Sequence, residues 1–507
     1  MKKISFLLTM LVAVLLLASC SKQKSANLVP EDAAFVVRFD ATQISAKSGL
    51  KDNNSELLKM IEEQLKNVGL DKDTREKILN VVEDPTKSGI DFTEPMFLYV
   101  KLDKRMDAEA GLVGDMASEG DLTDLLNTLS EKTGKEAVEK AKNGAKYVDM
   151  GNDVAFIFND EWFFVGKASD IDDMAEELQG RADGKGSLQG NKAFDTMCDK
   201  DGVMQFLMLY SGMANIPDMK EASDLLPKDL KLEDLAMVAD LALTPGEALL
   251  TSEAVCLSKE WEKYMEKGNK AMKPISAEQA KYISDQGFSA FLNVDTKNLY
   301  EYAQSLMKSF DLGDEAEEVV KQICDALNGE ASFDLYAIRD GEPQMALYVS
   351  TNNDTPLNMV VGNFADEDDI TEVGDNEYQI PTAYDYDWTD GDFVKTVKQW
   401  GLLGYKNGQS YFLTDMDNAF TKPAQAYPTD IIKGIGFFAR FNFDFLDAIA
   451  NETDNPNAKI ISMVADAFDC VEMYYSKDNK FIVRWVCSDK KKNPVEVVFD
   501  MVKGFIN

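Results

Sequence analysis

Val113-Gly-Asp-Met-Ala-Ser-Glu-Gly-Asp-Leu-Thr123 returns without a gap as Val361-Gly-Asn-Phe-Ala-Asp-Glu-Asp-Asp-Ile-Thr371, an offset of 248 residues (113 to 361). Val, Gly, Ala, Glu, Asp and Thr are identical between the two. The spacing is far longer than the roughly 20–50-residue period of a solenoid, so the chain reads as two copies of one module. Working outward, Val154–Val165 matches Leu402–Leu413 at the same offset, with Asn159 and Asn407 meeting in the turns. Two opening strands, Ala34–Asp40 and Phe288–Asp295, each end at an aspartate suited to a turn or a helix cap. Leu98, Tyr99 and Asp103 find counterparts in Leu335, Tyr336 and Asp340.

Periodicity fills in the rest. Leu57, Leu58, Ile61, Leu65 and Val68 mark one amphipathic helix and Ile78–Val82 another; further helices are predicted from Asp121, over Lys259–Met272 and over Val495–Phe505. Hairpins are predicted to turn at Asn159-Asp160, Pro245-Gly246 and Asp478-Asn479. Helices and strands mix without a βαβ rhythm. The expected class is therefore α+β, a tandem duplication of one mixed module with antiparallel hairpins. The expected divisions are a signal peptide over 1–20, a tether over 21–29, module one over 30–272, a linker over 273–285 and module two over 286–507.

Lys2 and Lys3 precede an apolar run, Ile4–Leu17, too short to span a bilayer as a mature helix. It ends in Leu17-Ala-Ser-Cys20, which resembles the bacterial lipobox, where cleavage leaves a lipid-bearing cysteine at the new N-terminus. Each acyl chain adds ~0.8 kcal/mol per buried methylene, so several chains on Cys20 hold a protein on a membrane. In similar lipoproteins surface export goes with acidic residues just after the cysteine. Ser21–Ser25 has none, which favours the periplasmic side of the outer membrane.

Composition narrows the chemistry. A net charge of −36 with no basic stripe argues against nucleic acid. No histidine occurs in 507 residues, which removes Ser-His-Asp and Cys-His catalysis and histidine-ligated zinc. No phosphate-binding or dinucleotide motif in its proper context implies a cofactor. The acidic run Ala365–Asp369 reads as a metal cluster or, like its partner Ala117–Asp121, as the capped start of a helix. Asp385, Asp387, Asp390 and Asp392 form a loose calcium candidate, since hard cations take several oxygens from a flexible loop. Their third acid and glycine come one residue late for an EF-hand. A two-residue turn at Asp478-Asn479 would set Cys470 opposite Cys487, near enough for a disulfide, with two buried thiols as the other reading. Trp162–Phe164 and Phe437–Phe441 could line a groove or fill a sheet core.

The lipobox, the opening Pro30-Glu-Asp-Ala-Ala-Phe-Val-Val-Arg-Phe-Asp40 and the duplicated body together resemble an uncharacterised family of lipoproteins from gut anaerobes, known as domain of unknown function 4836. That resemblance implies no activity and no catalytic residue. Two functions stay open: a membrane-anchored envelope lipoprotein with a non-catalytic binding or structural role toward a protein, glycan or small ligand, and a glycosidase-like hydrolase using paired carboxylates.

Overall fold

The computed structural model describes residues 24–47, 72–83, 85–130, 138–214, 216–276, 278–309, 313–339, 341–363, 370–389, 392–414, 420, 427–452, 457–476 and 478–506. The expected helix over 55–68 and the run Ala365–Asp369 lie outside them. Two units divide the chain. The first holds the described residues up to Asp224, with Leu230–Lys259 and the segment from Lys491; the second holds Leu225–Asp229 and Glu260–Lys490.

In the first unit the strands are β1 (Phe35–Phe39), β2 (Met96–Leu102), β3 (Ala108–Asp115), β4 (Glu139–Lys140), β5 (Lys146–Gly151), β6 (Val154–Phe158), β7 (Trp162–Lys167), β8 (Met204–Leu209), β9 (Leu235–Thr244) and β10 (Glu247–Cys256). They pair antiparallel in the order β4-β5-β6-β7-β3-β2-β1-β8-β9-β10. The second unit has β11 (Phe288–Asn293), β12 (Leu327–Arg339), β13 (Glu342–Thr351), β14 (Thr371–Gly374), β15 (Glu377–Thr389), β16 (Asp392–Lys406), β17 (Gln409–Leu413), β18 (Phe437–Asn442), β19 (Phe468–Tyr475) and β20 (Phe481–Cys487). Their order is β14-β15-β16-β17-β13-β12-β11-β18-β19-β20, again all antiparallel. Each unit thus threads its strands in the same sequence. With helices between them, the class is α+β.

The sheets bury what their sequences offer. In β6 and β7, Ala155, Ile157, Trp162 and Phe164 join one core, while Phe156, Phe158 and Phe163 join another on the opposite face. An unbroken apolar run is what a strand covered on both sides requires. The aromatic Trp162–Phe164 is therefore sheet core. In the second unit Phe291, Tyr348, Tyr411 and Phe438 pack with Ile283 and Ile432.

The eleven-residue match does not mark equivalent places. Val113 lies in β3, whereas Val361 lies in the helix Thr355–Asn363. Gly114 is required where it stands, because a Cβ there would sit 2.4 Å from the Phe163 ring; at Gly362 a Cβ meets open space. A small residue beside valine suits both a tight strand crossing and a helix end. Val154–Val165 and Leu402–Leu413 do fall on hairpins at the same place in the two strand orders, β6–β7 and β16–β17, and the two opening aspartates share a local feature 255 residues apart (40 to 295). Asp40 accepts from the Gln43 amide at 2.9 Å and Asp295 from the Asn298 amide at 3.0 Å, each at the start of a helix.

Two segments expected to be linkers are packed. Ser25–Leu28 is a buried 3₁₀ turn, and in the 273–285 stretch Ile275, Ala280 and Ile283 are buried. Leu28 and Ile283, again 255 apart, are both fully buried. Their apolar side chains decide the matter. Among the described residues no helix is long and apolar enough to cross a membrane.

The final hairpin differs from expectation by one residue. Cys470 faces Val486 and Cys487 faces Phe468, with a bulge between, and no disulfide joins the two cysteines. The turn is one residue longer than the two assumed: the Ser476 amide donates to Lys480, and Asn479 takes a φ of 59°. By contrast Pro245-Gly246 turns as expected, with Gly246 at φ 86° and Cys256 opposite Leu235.

Candidate functional site

Pairing register lays five polar residues across one face of the second sheet. Asp334 of β12 faces Ser289 of β11, which faces Arg440 of β18; Arg440 faces Glu472 of β19, and Glu472 faces Arg484 of β20. Directly opposed antiparallel residues share a face, so this is one continuous row. Asp334 and Ser289 are 2% exposed and Glu472 3%.

The buried charges are paired. Glu472 meets Arg484 Nη1 at 3.0 Å and Arg440 Nη1 at 3.8 Å; Arg440 Nη1 also lies 3.5 Å from Asp285. Arg440 Nε donates to Asn442 Oδ1 at 3.1 Å, and Asn442 Nδ2 donates to the Asp285 carbonyl at 2.7 Å. Burial raises the Asp285 carboxyl above its usual range, against the pull of Arg440. Asp334 is pushed up to about 7 by burial, only partly offset by the Ser284 amide at 2.7 Å and hydroxyl at 3.3 Å.

Where this row meets the helix Phe443–Glu452, a cavity of about 510 Å³ opens, with Arg440 and Asp285 in its wall. Tyr336 and Phe445 supply aromatic faces, and Asp444 and Asp469 add carboxylates. Asp469 is paired with Lys490 at 2.5 Å. Asp444 has no cation partner among the described residues. Arg440 and Arg484 balance Asp285 and Glu472, so the cavity is left with a net negative charge beside two rings.

The sequence candidates fall elsewhere. Cys20 and Asp390 lie outside the described residues. Asp385 and Asp387 sit two apart on β15, and Asp392 opens β16 opposite Thr389. They belong to a paired ribbon, which corrects the expectation of a flexible ligating loop; alternation along the Tyr-Asp-Tyr-Asp-Trp segment favours a strand. Among the described residues no group of three or more carboxylates or cysteines could hold a metal. Ser118 caps the helix Glu119–Ser130, its Oγ accepting from the Asp121 amide at 3.2 Å, as the capping reading requires. The Arg440–Glu472–Arg484 row was missed. Its available signal was a single charge inside each of three apolar strands, Phe-Phe-Ala-Arg-Phe, Cys-Val-Glu-Met and Ile-Val-Arg-Trp.

The elements above define an α+β protein whose second unit carries a polar pocket. The chain belongs to the family described as Domain of unknown function (DUF4836), whose family model matches residues 25–384. That match opens at Ser25, the first buried residue among those described. No curated protein matches the chain. Two crystal forms of TP0453 are similar. Form III is 13% identical over 50% of this chain and 89% of that one with a TM-score of 0.26; form IV is 15% identical over 45% and 79% with 0.25. Scores of that size leave the likeness without weight for fold or function.

Proposed function

We propose that this chain is a cell-envelope lipoprotein, anchored through a lipid on Cys20 to the periplasmic face of the outer membrane, built by tandem duplication. In this reading its second unit binds a small amine-bearing ligand without catalysing a reaction. The observation that carries the binding role is the cavity beside the ion row, with Tyr336 and Phe445 at its walls and Asp444 without a cation partner among the described residues. An ammonium gains from both a carboxylate and aromatic faces. The hydrolase reading needs two available carboxyls, and here Asp285 and Asp469 are each engaged by a cation. Duplication is supported by the common strand order and by the Asp40 and Asp295 caps.

Calorimetric titration of the full-length chain with 1,4-diaminobutane tests the pocket. Saturable binding that Asp444→Asn weakens about tenfold, or ~1.4 kcal/mol, is expected. Binding indifferent to that substitution, or none, defeats it. Cell fractionation tests the anchor: Cys20→Ser should leave the membrane fraction, and continued retention would count against lipidation.

A further inference from the structure

The first unit grips its own leading end. Asp115, the last residue of β3 and 4% exposed, accepts from the Lys24 amide through Oδ2 at 3.1 Å and from the Ser25 amide through Oδ1 at 2.6 Å. Ser25 Oγ donates to the Pro95 carbonyl at 3.5 Å, and Lys24 Nζ reaches Glu161 in the β6–β7 turn at 2.8 Å. That turn is itself fixed, since Asn159 Oδ1 accepts from the amides of Glu161 and Trp162 at 2.8 and 2.9 Å. Beyond the grip, Leu28 and Val29 are fully buried. A carboxylate that accepts two successive amides, with a buried turn behind it, holds the chain in both position and direction.

Cys20 precedes Lys24 by four residues, and four peptide steps reach at most ~14 Å. We propose that the Asp115 clip shortens the leash so far that a lipid on Cys20 lays the β6–β7-turn end of the first unit against the bilayer surface. This rests on the anchor reading above. A body on so short a leash cannot turn that end away, because Lys24 stays near headgroup depth. Asp160 and Glu161 stand beside Lys24 in this surface, so it suits zwitterionic headgroups; anionic lipid would repel it.

Energy transfer tests the geometry. A fluorophore is attached through an azide-bearing residue at position 160 or at 167, and full-length lipidated chain is reconstituted into phosphatidylcholine vesicles with acceptor on the headgroups. Position 167 is the exposed far end of β7, five strand residues and ~17 Å away. Transfer at 160 should exceed that at 167 at least twofold. Asp115→Ala should narrow the gap, and so should ten Gly/Ser residues inserted after Lys22, which leave the clip intact. Equal transfer from both positions in protein that floats with the vesicles overturns the short leash alone. Protein that does not float overturns the anchor reading and this proposal together.

Discussion

Four positions in register separate the two units. The caps at Asp40 and Asp295 align Ala34 with Ser289, and strand pairing carries the alignment outward. In the first unit the Leu209 amide donates to the Ala34 carbonyl at 2.8 Å, Leu209 faces Ala236, and Ala236 faces Val255. In the second unit the same places hold Ser289, Arg440, Glu472 and Arg484. One row is apolar and shut; the other is ionic and opens on a cavity. A common strand order accommodates both, so backbone topology does not demand the charges. Buried ion pairs seldom stabilise more than an apolar row of similar size. An ionic row at these four places in the second unit, where the first unit has an apolar one, is therefore better explained by a use than by stability.

Exchanging the rows gives the largest effects. Ala236→Glu puts a carboxylate between Leu209 and Val255 with no cation opposite, and should cost at least ~4 kcal/mol or prevent folding. Glu472→Ala removes the carboxylate shared by Arg440, which keeps Asp285, and Arg484, which reaches solvent, so it should cost less than the ~3–5 kcal/mol of a fully buried broken pair. The triple change Arg440→Leu, Glu472→Ala, Arg484→Val rebuilds the first unit's row and should be far milder, from neutral to ~1–4 kcal/mol stabilising. Asp285, open to the cavity, recovers water when Arg440 goes. Denaturant unfolding ranks the variants. A triple variant as damaged as Glu472→Ala would mean that the charges are structural after all.

A smaller contrast concerns pH. Asp334 has its folded pKa raised to about 7, above the ordinary 3.8. A carboxyl raised by folding binds its proton more tightly in the folded state, so its contribution is present below the unfolded value and is lost as pH climbs from ~4 through ~7. The full shift is worth about 4 kcal/mol as an upper bound. The place across from Ala34 in the first unit is taken by Lys101, which pairs with Asp32 at 3.2 Å. Melting of the wild type should fall over this interval, and Asp334→Asn should flatten the fall. Parallel curves for the two proteins would remove Asp334 from the account.

Much of the fold was legible, though not from the stretch that first suggested it. The two-module reading opened on a match between a strand in one unit and a helix in the other, whereas the hairpin match at the same offset fell on equivalent strands. Length, strand alternation and the two opening aspartates were the sounder signals, because caps and buried strand faces are set locally. The Pro245-Gly246 hairpin came out in register because its glycine dictates the turn. The Asp478-Asn479 hairpin slipped because Asn479 serves a longer loop equally well. The pocket was not legible. Arg440, Glu472 and Arg484 are separated along the chain by 32 and 12 residues, and only strand pairing brings them together. Ser25–Val29 looked like a polar leash because Asp115, which holds it, lies 90 residues on.

The smallest expected effect is also the most direct check of the alignment on which the comparison stands. Asp40→Ala and Asp295→Ala each remove a carboxylate that accepts an amide three residues ahead. A lost N-cap costs ~1 kcal/mol. The two sites are not identical in detail. Asp40 is 6% exposed and also accepts from the Gln43 side chain at 3.0 Å, whereas Asp295 meets Lys273 at 3.2 Å. The Lys273 pair is open to solvent and adds little. The Asn298 amide, and after it Lys273, hold the Asp295 carboxyl below its usual range. Its contribution is therefore present above the unfolded value and should disappear as pH falls through the folded one. Losses in the two variants should agree within ~0.5 kcal/mol near neutral pH. A full cap's loss at Asp295 with none at Asp40 would break the 255-residue alignment, and with it the pairing of Ala34 with Ser289.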